Sequence, residues 1–393
     1  MPVIDSPSLD TKPQVLIYCQ YVYGIGHYVR AVELARGLCR FFNVVLLNGG
    51  EAVPNYDLPP EVSCCQLPAI YKQEQADYLS PVDPALSWQE CVEARSIIID
   101  RLVCQLAPDI LITEHFPFGL LFEFEAIPLI TQVKQCNPKA RIVSSVRDVI
   151  EAKDGGQQST HSCSLLNQYY DMVLVHSDEN IIPFSSSFPL EKKINIPVQY
   201  TGYVVRAIIP QTPKADPPQL LVSVGGGRLG EELLYAVLEA HRIVVKQWRY
   251  DLILFTGAFQ KDIPKLNACA EKYHNLNVAI NRFNQEHYRQ VLASASAVIC
   301  MGGYNSLLEA VTAQLPVLIY NRQFHGNNKE QDLRTALFQK FGLVRTLSPD
   351  NLCPEQMAAR ILALVKEPQI PVQSVQVNGA ITARKILQSL LME

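Results

Sequence analysis

A glycine pair, a serine and a glutamate lie close together in the second half of the sequence. In the run VICMGGYNSLLEA, Gly302 and Gly303 end a short apolar segment of strand length, and the residues from Ser306 onward have helical spacing. A strand that turns through glycines into a helix leaves free backbone N–H groups at the positive end of the helix dipole, which suits a phosphate. Glu309 falls in the first predicted turn, where its carboxylate can accept hydrogen bonds from two neighbouring hydroxyls, such as those of a ribose. Ser306-x-x-Glu309 is also the pattern of a capping box, in which Glu309 would only close the helix end.

A further helix is predicted to open at Glu330 and Gln331, after the apolar run PVLIY. Open α/β sheets bind their ligands at the carboxyl ends of the strands, so this helix start and the preceding one share an edge. Together they could hold a phosphate, a ribose and a further polyhydroxyl group. The spacing therefore predicts a nucleotide-sugar site with Glu330 and Gln331 at its sugar end.

A glycine triplet makes a second candidate anion-binding turn. Gly225, Gly226 and Gly227 follow an apolar run over residues 220–224, and Arg228 comes directly after them. The alternative is a plain tight turn with Arg228 in solvent. No D-x-D sequence occurs in the chain. We therefore expect helix N-termini, Ser306 and Arg228 to meet the charge of a diphosphate, without a metal ion or other cofactor.

A histidine follows a short glycine turn near the N-terminus. The sequence Gly24-x-Gly26-His27 follows the first apolar run and opens a helix, which invites comparison with dinucleotide-binding turns. Val29 takes the position of the third glycine, and Asn48 stands at the end of the second strand where an acidic residue would be needed. These two departures argue against a dinucleotide. The turn directs His27 toward the space between two domains, where it could act as a general base, although a surface or capping role is the alternative.

Two carboxylates are predicted at strand ends on the same edge as His27. Glu114 follows the run over 109–113, and Asp148 follows the run over 141–146. Either could bind one ring nitrogen of His27, fix its tautomer and raise its basicity. Each could equally cap a loop, and the residues alone do not choose between the two carboxylates.

Composition limits the class of protein. A chain of 393 residues with 48% apolar and 18% charged residues is long enough for two globular domains. The net charge of −4 and the absence of a Lys/Arg block argue against nucleic acid as the main partner. No signal pattern opens the sequence, and no apolar run approaches the roughly 18 residues of a membrane span. The eleven scattered cysteines fit free thiols in a reducing cytoplasm.

Strand and helix patterns alternate through both halves of the chain. The first helix, over residues 28–42, is predicted to turn Arg30 and Glu33 outward, and residues 51–87 are predicted to form a long excursion from the sheet. Four prolines mark residues 208–218 as a linker, after which the pattern restarts. We therefore predict an α/β fold of two doubly wound, Rossmann-like domains that face each other across a cleft. The expected segments are a loose tail (1–12), an acceptor domain (13–207), the linker (208–218), a donor domain (219–371) and a C-terminal helical segment (372–393) that could pack back on the first domain.

These motifs resemble the GT-B glycosyltransferases. GIGHYVR near the start and GGYNSLLEA in the second domain are similar to the branch around the peptidoglycan N-acetylglucosaminyltransferase MurG, a family 28-like branch. TEHFPFG, SSVRD, VLVHSDE, YTGYV and EQDLR resemble a group of predicted bacterial glycosyltransferases of that branch. The resemblance runs from about residue 15 to the last helix.

The resemblance implies a base on the first domain and a donor site on the second. His27 would be the base, the glycine turn at 225–227 and Ser306 would hold the diphosphate, and Glu309 the ribose. Glu330 and Gln331 would contact the donor sugar, and the backbone near Phe283 would face the nucleobase. In plant and antibiotic glycosyltransferases with a similar run, a histidine commonly precedes the glycine pair, whereas this chain has Met301. The implied donor-site residues are Gly225, Gly226, Gly227, Arg228, Phe283, Gly302, Gly303, Asn305, Ser306, Glu309, Glu330 and Gln331.

The function expected from this resemblance is an inverting, metal-independent glycosyltransferase. It would move a hexosyl-type sugar from a nucleoside diphosphate, with UDP favoured by the resemblance, to an acceptor hydroxyl. The alternatives are a nucleotide-sugar hydrolase with a His27-activated water and a non-catalytic protein that binds sugar nucleotides. The acceptor, small or lipid-linked, stays open, and so do the sugar and the oligomeric state. The expected location is the cytoplasm, with peripheral contact at the inner face of the membrane also open.

Overall fold

The computed structural model describes most of the chain. The described residues are 12–22, 24–54, 56–72, 78–150, 156–211, 213–225, 230–257, 263–272, 277–322, 329–367 and 374–393. The tail predicted over residues 1–12 lies outside them except for Lys12.

The first sheet has seven parallel strands in the order β3-β2-β1-β6-β7-β8-β9. Its order reverses between β1 and β6, because the chain first builds outward from β1 to β3 and then returns to the other side of β1. Such a switch point leaves a crevice at the carboxyl ends of the two strands. The elements of this domain are β1 (Gln14–Cys19), α1 (Gly26–Leu38), β2 (Asn43–Asn48), β3 (Val62–Gln66), β4 (Ile70–Lys72), β5 (Leu79–Pro81), α2 (Trp88–Leu106), β6 (Ile110–Glu114), α3 (Glu123–Cys136), β7 (Arg141–Arg147), α4 (Gln157–Tyr169), β8 (Met172–His176) and β9 (Val198–Tyr200).

The second sheet has six parallel strands in the order β12-β11-β10-β13-β14-β15. Its switch point lies between β10 and β13, the two strands that precede the predicted glycine turns. The elements of this domain are β10 (Gln219–Ser223), α5 (Glu231–Val244), β11 (Asp251–Thr256), α6 (Ile263–Glu271), β12 (Val278–Arg282), α7 (Gln285–Ser294), β13 (Ala297–Met301), α8 (Tyr304–Thr312), β14 (Val317–Tyr320), α9 (Lys329–Lys340), β15 (Arg345–Leu347), α10 (Pro354–Lys366) and α11 (Gly379–Leu390).

The excursion predicted over residues 51–87 is partly wrong, because β3 returns to the sheet as its edge strand beside β2. Only Val62 in β3 is buried. An edge strand with one buried side chain has no apolar run that a sequence pattern could show. The short antiparallel pair β4–β5 is the part that leaves the sheet.

The C-terminal helix α11 returns to the first domain and packs along α1. Ala383, Leu387 and Leu390 belong to the same apolar cluster as β1 and α1. A Cβ atom on Gly37 of α1 would lie 2.5 Å from the Cβ of Ala380, so the close approach of the helices requires glycine at that position. The connection between the domains also packs closely, since the Ile208 N–H donates to Thr312 Oγ1 in α8 at 3.1 Å. Among the described residues, no helix combines the length and the apolar character needed to cross a membrane.

Candidate active site

His27 is the second residue of α1, just beyond the carboxyl end of β1, and Glu114 is the last residue of β6. The switch point between these two strands brings the side chains together, with 3.0 Å between His27 Nδ1 and Glu114 Oε1. The Glu114 side chain is 1% exposed, whereas the His27 side chain keeps 19% of its surface exposed. Of the two carboxylates considered for His27, the structure therefore places Glu114 against the ring.

Arg30 completes this cluster, and its predicted outward orientation is wrong. The residue is 1% exposed, and its Nη2 donates to Glu114 Oε1 and lies 3.2 Å from His27 Nδ1. Glu33, also predicted to face solvent, is 6% exposed and accepts from Tyr56 Oη at 3.2 Å. An amphipathic pattern assigns charged side chains to solvent, but a paired charge can be buried. Since α1 is also covered by α11, most of its surface lies inside the molecule.

His27 is held in its neutral form. Burial lowers its pKa well below the usual 6.5, and the positive charges of Arg147 and Arg30, together with His115, act in the same direction. A neutral imidazole carries one ring proton, and the carboxylate of Glu114 accepts it from Nδ1. In the described part of the chain, the polar contacts of His27 all fall on Nδ1: Glu114 accepts from it, and the neighbouring Arg30, which can only donate, donates to Glu114. Nε2 then carries the free lone pair that a general base needs.

His115 stands beside His27 in an unusual backbone conformation. Its φ is +69°, and its ring centroid lies 4.9 Å from that of His27. A Cβ atom on Gly119 would come within 2.5 Å of the His115 ring, so glycine is required there. Left-handed backbone at a residue other than glycine is costly and is often found at functional sites. The sequence signal for His115 is the TEHFPFG run itself.

Asp148 makes no hydrogen bond to His27 among the described residues and pairs across the domain boundary. Its two oxygens accept from Arg334 Nε at 2.7 Å and Arg334 Nη2 at 2.6 Å, and both side chains are fully buried. This bidentate pair, with the Val149 N–H donating to Oδ1 at 2.9 Å, occupies the oxygens of Asp148. Its geometry therefore suits a tie between the domains, not the orientation of the base that the sequence left open.

The strand–glycine–helix turn at Gly302 and Gly303 is formed by β13 and α8, with one correction to its helix. Helix α8 begins at Tyr304, its N-cap is Gly303, and no side chain caps it. Ser306 is therefore inside the first turn and Glu309 in the second, so the capping-box alternative is wrong. The first backbone N–H that bonds within the helix belongs to Leu307, which donates to Gly303 at 3.1 Å. Those of Tyr304, Asn305 and Ser306 are the ones that a helix start leaves for an anion.

The glycine turn after β10 lies against this helix start. Gly225 has φ +75°, a conformation that glycine adopts without strain. A Cβ atom there would lie 3.4 Å from Ser306 Oγ, so the two switch-point turns are neighbours. Met301, which stands where similar runs have histidine, directs its sulfur toward Gly230 at the start of α5. Gly226, Gly227 and Arg228 lie outside the described residues.

The first turn of α8 also contacts the first domain, which contains His27. Asn305 Nδ2 donates to the carbonyl of Gly26, the residue before His27, at 3.1 Å. Tyr304 Oη donates to the carbonyl of His176 at 3.0 Å and accepts from the Val204 N–H at 3.0 Å. The predicted phosphate turn and the predicted base therefore meet directly at the domain boundary.

Glu309 lies in a buried, polar position on α8. Its side chain is 14% exposed, and Arg289 Nη1 donates to its Oε1 at 3.2 Å. Burial raises the pKa of Glu309 to about 7, with Arg289 opposing the shift and Glu33 adding to it. A carboxyl group with this pKa changes charge near neutral pH, and it accepts hydroxyl hydrogen bonds most strongly when ionised.

Glu330 and Gln331 open α9 beside two arginines. Glu330 pairs with Arg147 and, at 2.6 Å, with Arg334, and these charges hold the pKa of Glu330 below its usual value. Gln331 Oε1 is buried with no hydrogen-bond partner in the described structure, as is Asn321 Oδ1. Buried polar atoms without partners are uncommon and mark places where a ligand can donate hydrogen bonds.

Phe283, expected near the nucleobase, follows β12 and is 9% exposed. Its side chain belongs to the apolar cluster of the first domain, and its ring centroid lies 6.4 Å from that of Tyr288. The side chain is thus part of the domain boundary. Among the described residues, no group of three or more His, Cys, Asp or Glu side chains could hold a metal ion.

Comparison with known proteins agrees with this geometry. Residues 220–388 match the model of the glycosyltransferase family 28 C-terminal domain. The second domain is therefore similar to that family's C-terminal domain. The whole chain is similar in fold to Acinetobacter baumannii MurG, with 16% identity, TM-score 0.55, and 96% of this chain and 99% of that chain covered. The predicted family resemblance, fold class and enzyme class are confirmed: the second domain matches a glycosyltransferase family 28 domain, and the whole chain has the fold of MurG and other GT-B glycosyltransferases.

Two further solved structures show how widely this fold occurs. Arabidopsis thaliana UGT89C1 in complex with UDP-L-rhamnose has 15% identity and TM-score 0.57, with 97% of this chain and 94% of that chain covered. A putative UDP-N-acetylglucosamine 2-epimerase from Listeria monocytogenes has 14% identity and TM-score 0.56, with 97% and 96% covered. Identities this low establish the fold alone. Among curated proteins, none matches the chain.

Sequence reasoning missed three residues that assemble this candidate site. Arg30 stands three residues after His27 and therefore on the same side of α1, a spacing that could have identified it. Arg334 stands four residues after Glu330 in the EQDLR run and pairs with it. Tyr304 gave no signal, because a tyrosine at a helix start is as often apolar packing as a polar bridge.

Proposed function

We propose that this enzyme transfers a hexosyl-type sugar from UDP to an acceptor hydroxyl, with inversion at the anomeric carbon and without a metal ion. The observation that carries the proposal is the contact between the two switch points. Asn305, in the first turn of α8, donates to the carbonyl of Gly26, and His27 follows at once. The base and the anion-binding helix start are thereby adjacent, as a single displacement at one carbon requires.

Proton transfer begins at His27 Nε2. The lone pair there accepts the proton of the acceptor hydroxyl while the oxygen attacks the anomeric carbon and the bond from that carbon to the diphosphate breaks. The imidazolium that forms is stabilised by Glu114, whose Oε1 lies 3.0 Å from Nδ1. Attack from the side opposite the leaving group gives inversion.

The leaving diphosphate would be met by backbone groups. The free N–H groups at the start of α8, Ser306 Oγ and the Gly225 turn lie together and present the positive end of a helix dipole. The sequence has no D-x-D motif to hold a divalent ion. UDP is proposed because the Arabidopsis thaliana enzyme of the same fold was solved with UDP-L-rhamnose.

Recognition of the sugar would fall to α9 and that of the ribose to α8. Gln331 Oε1 is buried, has no hydrogen-bond partner among the described residues and can accept from a sugar hydroxyl, beside Glu330. Glu309 would accept from the ribose hydroxyls in its ionised form.

The acceptor is proposed to bind on the first domain. Trp88, Leu121 and Phe124 form an exposed apolar area there, each about 40% exposed, and Trp88 and Phe124 are in ring contact at 5.6 Å. Such an area would suit an acceptor with an apolar part, at a peripheral membrane surface or free. We place the reaction in the cytoplasm because all eleven cysteines are free thiols.

The test combines a donor screen with one variant. Thermal shift across nucleotide-sugars identifies the donor, because a tight binder raises the melting temperature by mass action. His27→Ala should then lower turnover about 10²- to 10⁴-fold at unchanged donor affinity. His161→Ala, which removes an exposed histidine paired with Glu123, is the control and should keep full activity.

Three results would contradict the proposal. Full activity of His27→Ala would exclude His27 as the base. Free sugar released at the same rate with and without acceptors would indicate a hydrolase, and retention of the anomeric configuration would exclude a single displacement. Binding of nucleotide-sugars without any turnover would indicate a non-catalytic protein.

A further inference from the structure

A chain of buried polar side chains continues from Glu114 away from His27. Glu114 Oε2 accepts from Ser145 Oγ at 2.7 Å, and Ser145 Oγ lies 2.9 Å from His176 Nε2. His176 Nδ1 lies 2.8 Å from Thr201 Oγ1. Ser145 and His176 are fully buried, and Thr201 is 2% exposed. The chain crosses the adjacent strands β6, β7 and β8, which bring its members into register.

Only two arrangements of the hydrogen-bond protons between Glu114, Ser145 and His176 satisfy these distances. Ser145 has one hydroxyl proton, so it can donate to Glu114 or to His176, but not to both. If Ser145 donates to His176, Glu114 must itself be protonated to fill the 2.7 Å contact. If Ser145 donates to an ionised Glu114, then His176 must donate from Nε2. Thr201 Oγ1 must then direct its one proton to His176 Nδ1, at 2.8 Å, and not to the Gly202 carbonyl, at 2.6 Å.

The guanidinium of Arg30 decides between the two orders. It donates to Glu114 Oε1, and a positive charge in direct contact favours the ionised carboxylate. Burial, with Arg30 nearby, lowers the pKa of His176 to about 3, so this ring is neutral and carries one proton. That proton must be on Nε2, since an ionised Glu114 takes the proton of Ser145.

We propose that Ser145 and His176 are positioning residues that keep Glu114 ionised and thereby fix His27 as the tautomer with its proton on Nδ1. The two histidines carry opposite tautomers, and all hydrogen bonds of the chain run toward Glu114. This inference rests on the proposed role of His27 as the base. The charged or titratable groups that face His27 are Glu114, Arg30, His115 and Arg147.

The tautomer can be measured without any turnover. Histidine-selective ¹⁵N labelling and long-range ¹H–¹⁵N correlation distinguish protonated from unprotonated ring nitrogens, and the eight histidines give few signals. His27 is assigned from the signal lost in His27→Gln. We expect a proton on Nδ1 of His27 and on Nε2 of His176. The reverse order at either ring would overturn the proposal.

Four variants test the chain in pairs. His176→Gln keeps a donor near the Nε2 position, and His176→Asn removes it. Ser145→Thr keeps the hydroxyl, and Ser145→Ala removes it. The two variants that keep the hydrogen bond should retain the His27 tautomer, whereas the other two should mix it and lower kcat on the order of tenfold at unchanged donor KM, the effect of one hydrogen bond to a charged group.

A matched control separates positioning from packing. Ser144→Ala removes an equally buried hydroxyl from the same strand, where it donates to the Phe116 carbonyl at 2.9 Å on the opposite face of the sheet. It should lower stability without a change in the His27 tautomer. If Ser145→Ala leaves the tautomer and kcat as unchanged as Ser144→Ala does, the proposed chain has no positioning role. The wild-type protein could instead show the expected tautomers, and their loss in Ser145→Ala, yet have no transferase activity. That result would refute the proposed function but not the proposed hydrogen-bond chain from Thr201 to Glu114.

Discussion

Removal of Arg334 should cost more than removal of its partner. Arg334 is fully buried and makes two bonds to Asp148 at 2.7 and 2.6 Å, one to Glu330 at 2.6 Å and one to the Gly302 carbonyl at 3.2 Å. Arg334→Met leaves Asp148 as an unpaired charge with no exposed surface, while Glu330 still has Arg147. Loss of one member of a buried pair costs about 3–5 kcal/mol.

Asp148→Asn should be milder, because Arg334 keeps Glu330 and the asparagine still accepts a hydrogen bond. We expect a loss of about 1.5 kcal/mol, the low end for a hydrogen bond to a charged group. The double variant, Arg334→Met with Asp148→Asn, leaves no unpaired buried charge at position 148. Its cost should therefore fall below the sum of the two single costs by about 0.5–3 kcal/mol.

The positions of the tryptophans allow the unequal costs of these variants to be measured. Its two tryptophans are divided between the domains, with Trp88 at the start of α2 and Trp248 just after α5. Urea unfolding of Trp88→Phe and Trp248→Phe backgrounds, followed by fluorescence, reports the domains separately. If the Arg334–Asp148 pair joins the domains, Arg334→Met should lower the urea midpoints of both domains. The reasoning fails if both single variants cost under about 1 kcal/mol, or if their costs add.

Three further predictions concern catalysis. At saturating donor, kcat should hold as pH falls from 7.5 and decline only below 6.5, because burial lowers the pKa of His27. A decline of kcat centred above 6.5 would contradict a neutral buried base. Donor affinity should rise with pH through about 7, where the raised pKa lets Glu309 become the carboxylate that accepts hydroxyl bonds, and titration calorimetry on Glu309→Gln should show weaker, pH-independent binding. If Glu309→Gln bound the donor with the wild-type affinity and pH dependence, Glu309 would have no role in binding the ribose. Activity in excess EDTA should equal activity with magnesium, whereas a loss that a divalent ion restores would refute the helix-dipole account of the leaving group.

Periodicity predicted the doubly wound architecture because both sheets are parallel and their central strands are continuous apolar runs. Strand β1 has five buried residues of six, and β6 and β8 are buried throughout. The edge strands β3, β9 and β15 did not show in the sequence, since each has only three to five residues and at most one is buried. Short, half-exposed strands take their structure from the neighbour they pair with and not from their own pattern.

The site was predictable where chemistry follows a strand end, and not where it depends on pairing. The neighbourhood of His27 and Glu114 follows from sheet order, because β1 and β6 are adjacent at the switch point. The choice between Glu114 and Asp148 depended on Arg30 and Arg334, which approach from elements distant in sequence. The spacing of apolar residues along the sequence does not indicate which charged side chains will pair across such distances.

The two switch points face each other through backbone atoms, and this sets how the base and the donor site are coupled. Tyr304 Oη contacts the His176 carbonyl and the Val204 N–H, and Asn305 contacts the Gly26 carbonyl. The same helical turn that would bind the diphosphate thus also holds the turn before His27 and the backbone of β8. Because each bond joins a side chain of the first turn of α8 to a main-chain group of the other domain, the bonds leave little freedom between the proposed base and the leaving group. Any opening of the boundary has to break them together with the buried pair of Arg334. We therefore infer that the donor helix start and the base move as one unit.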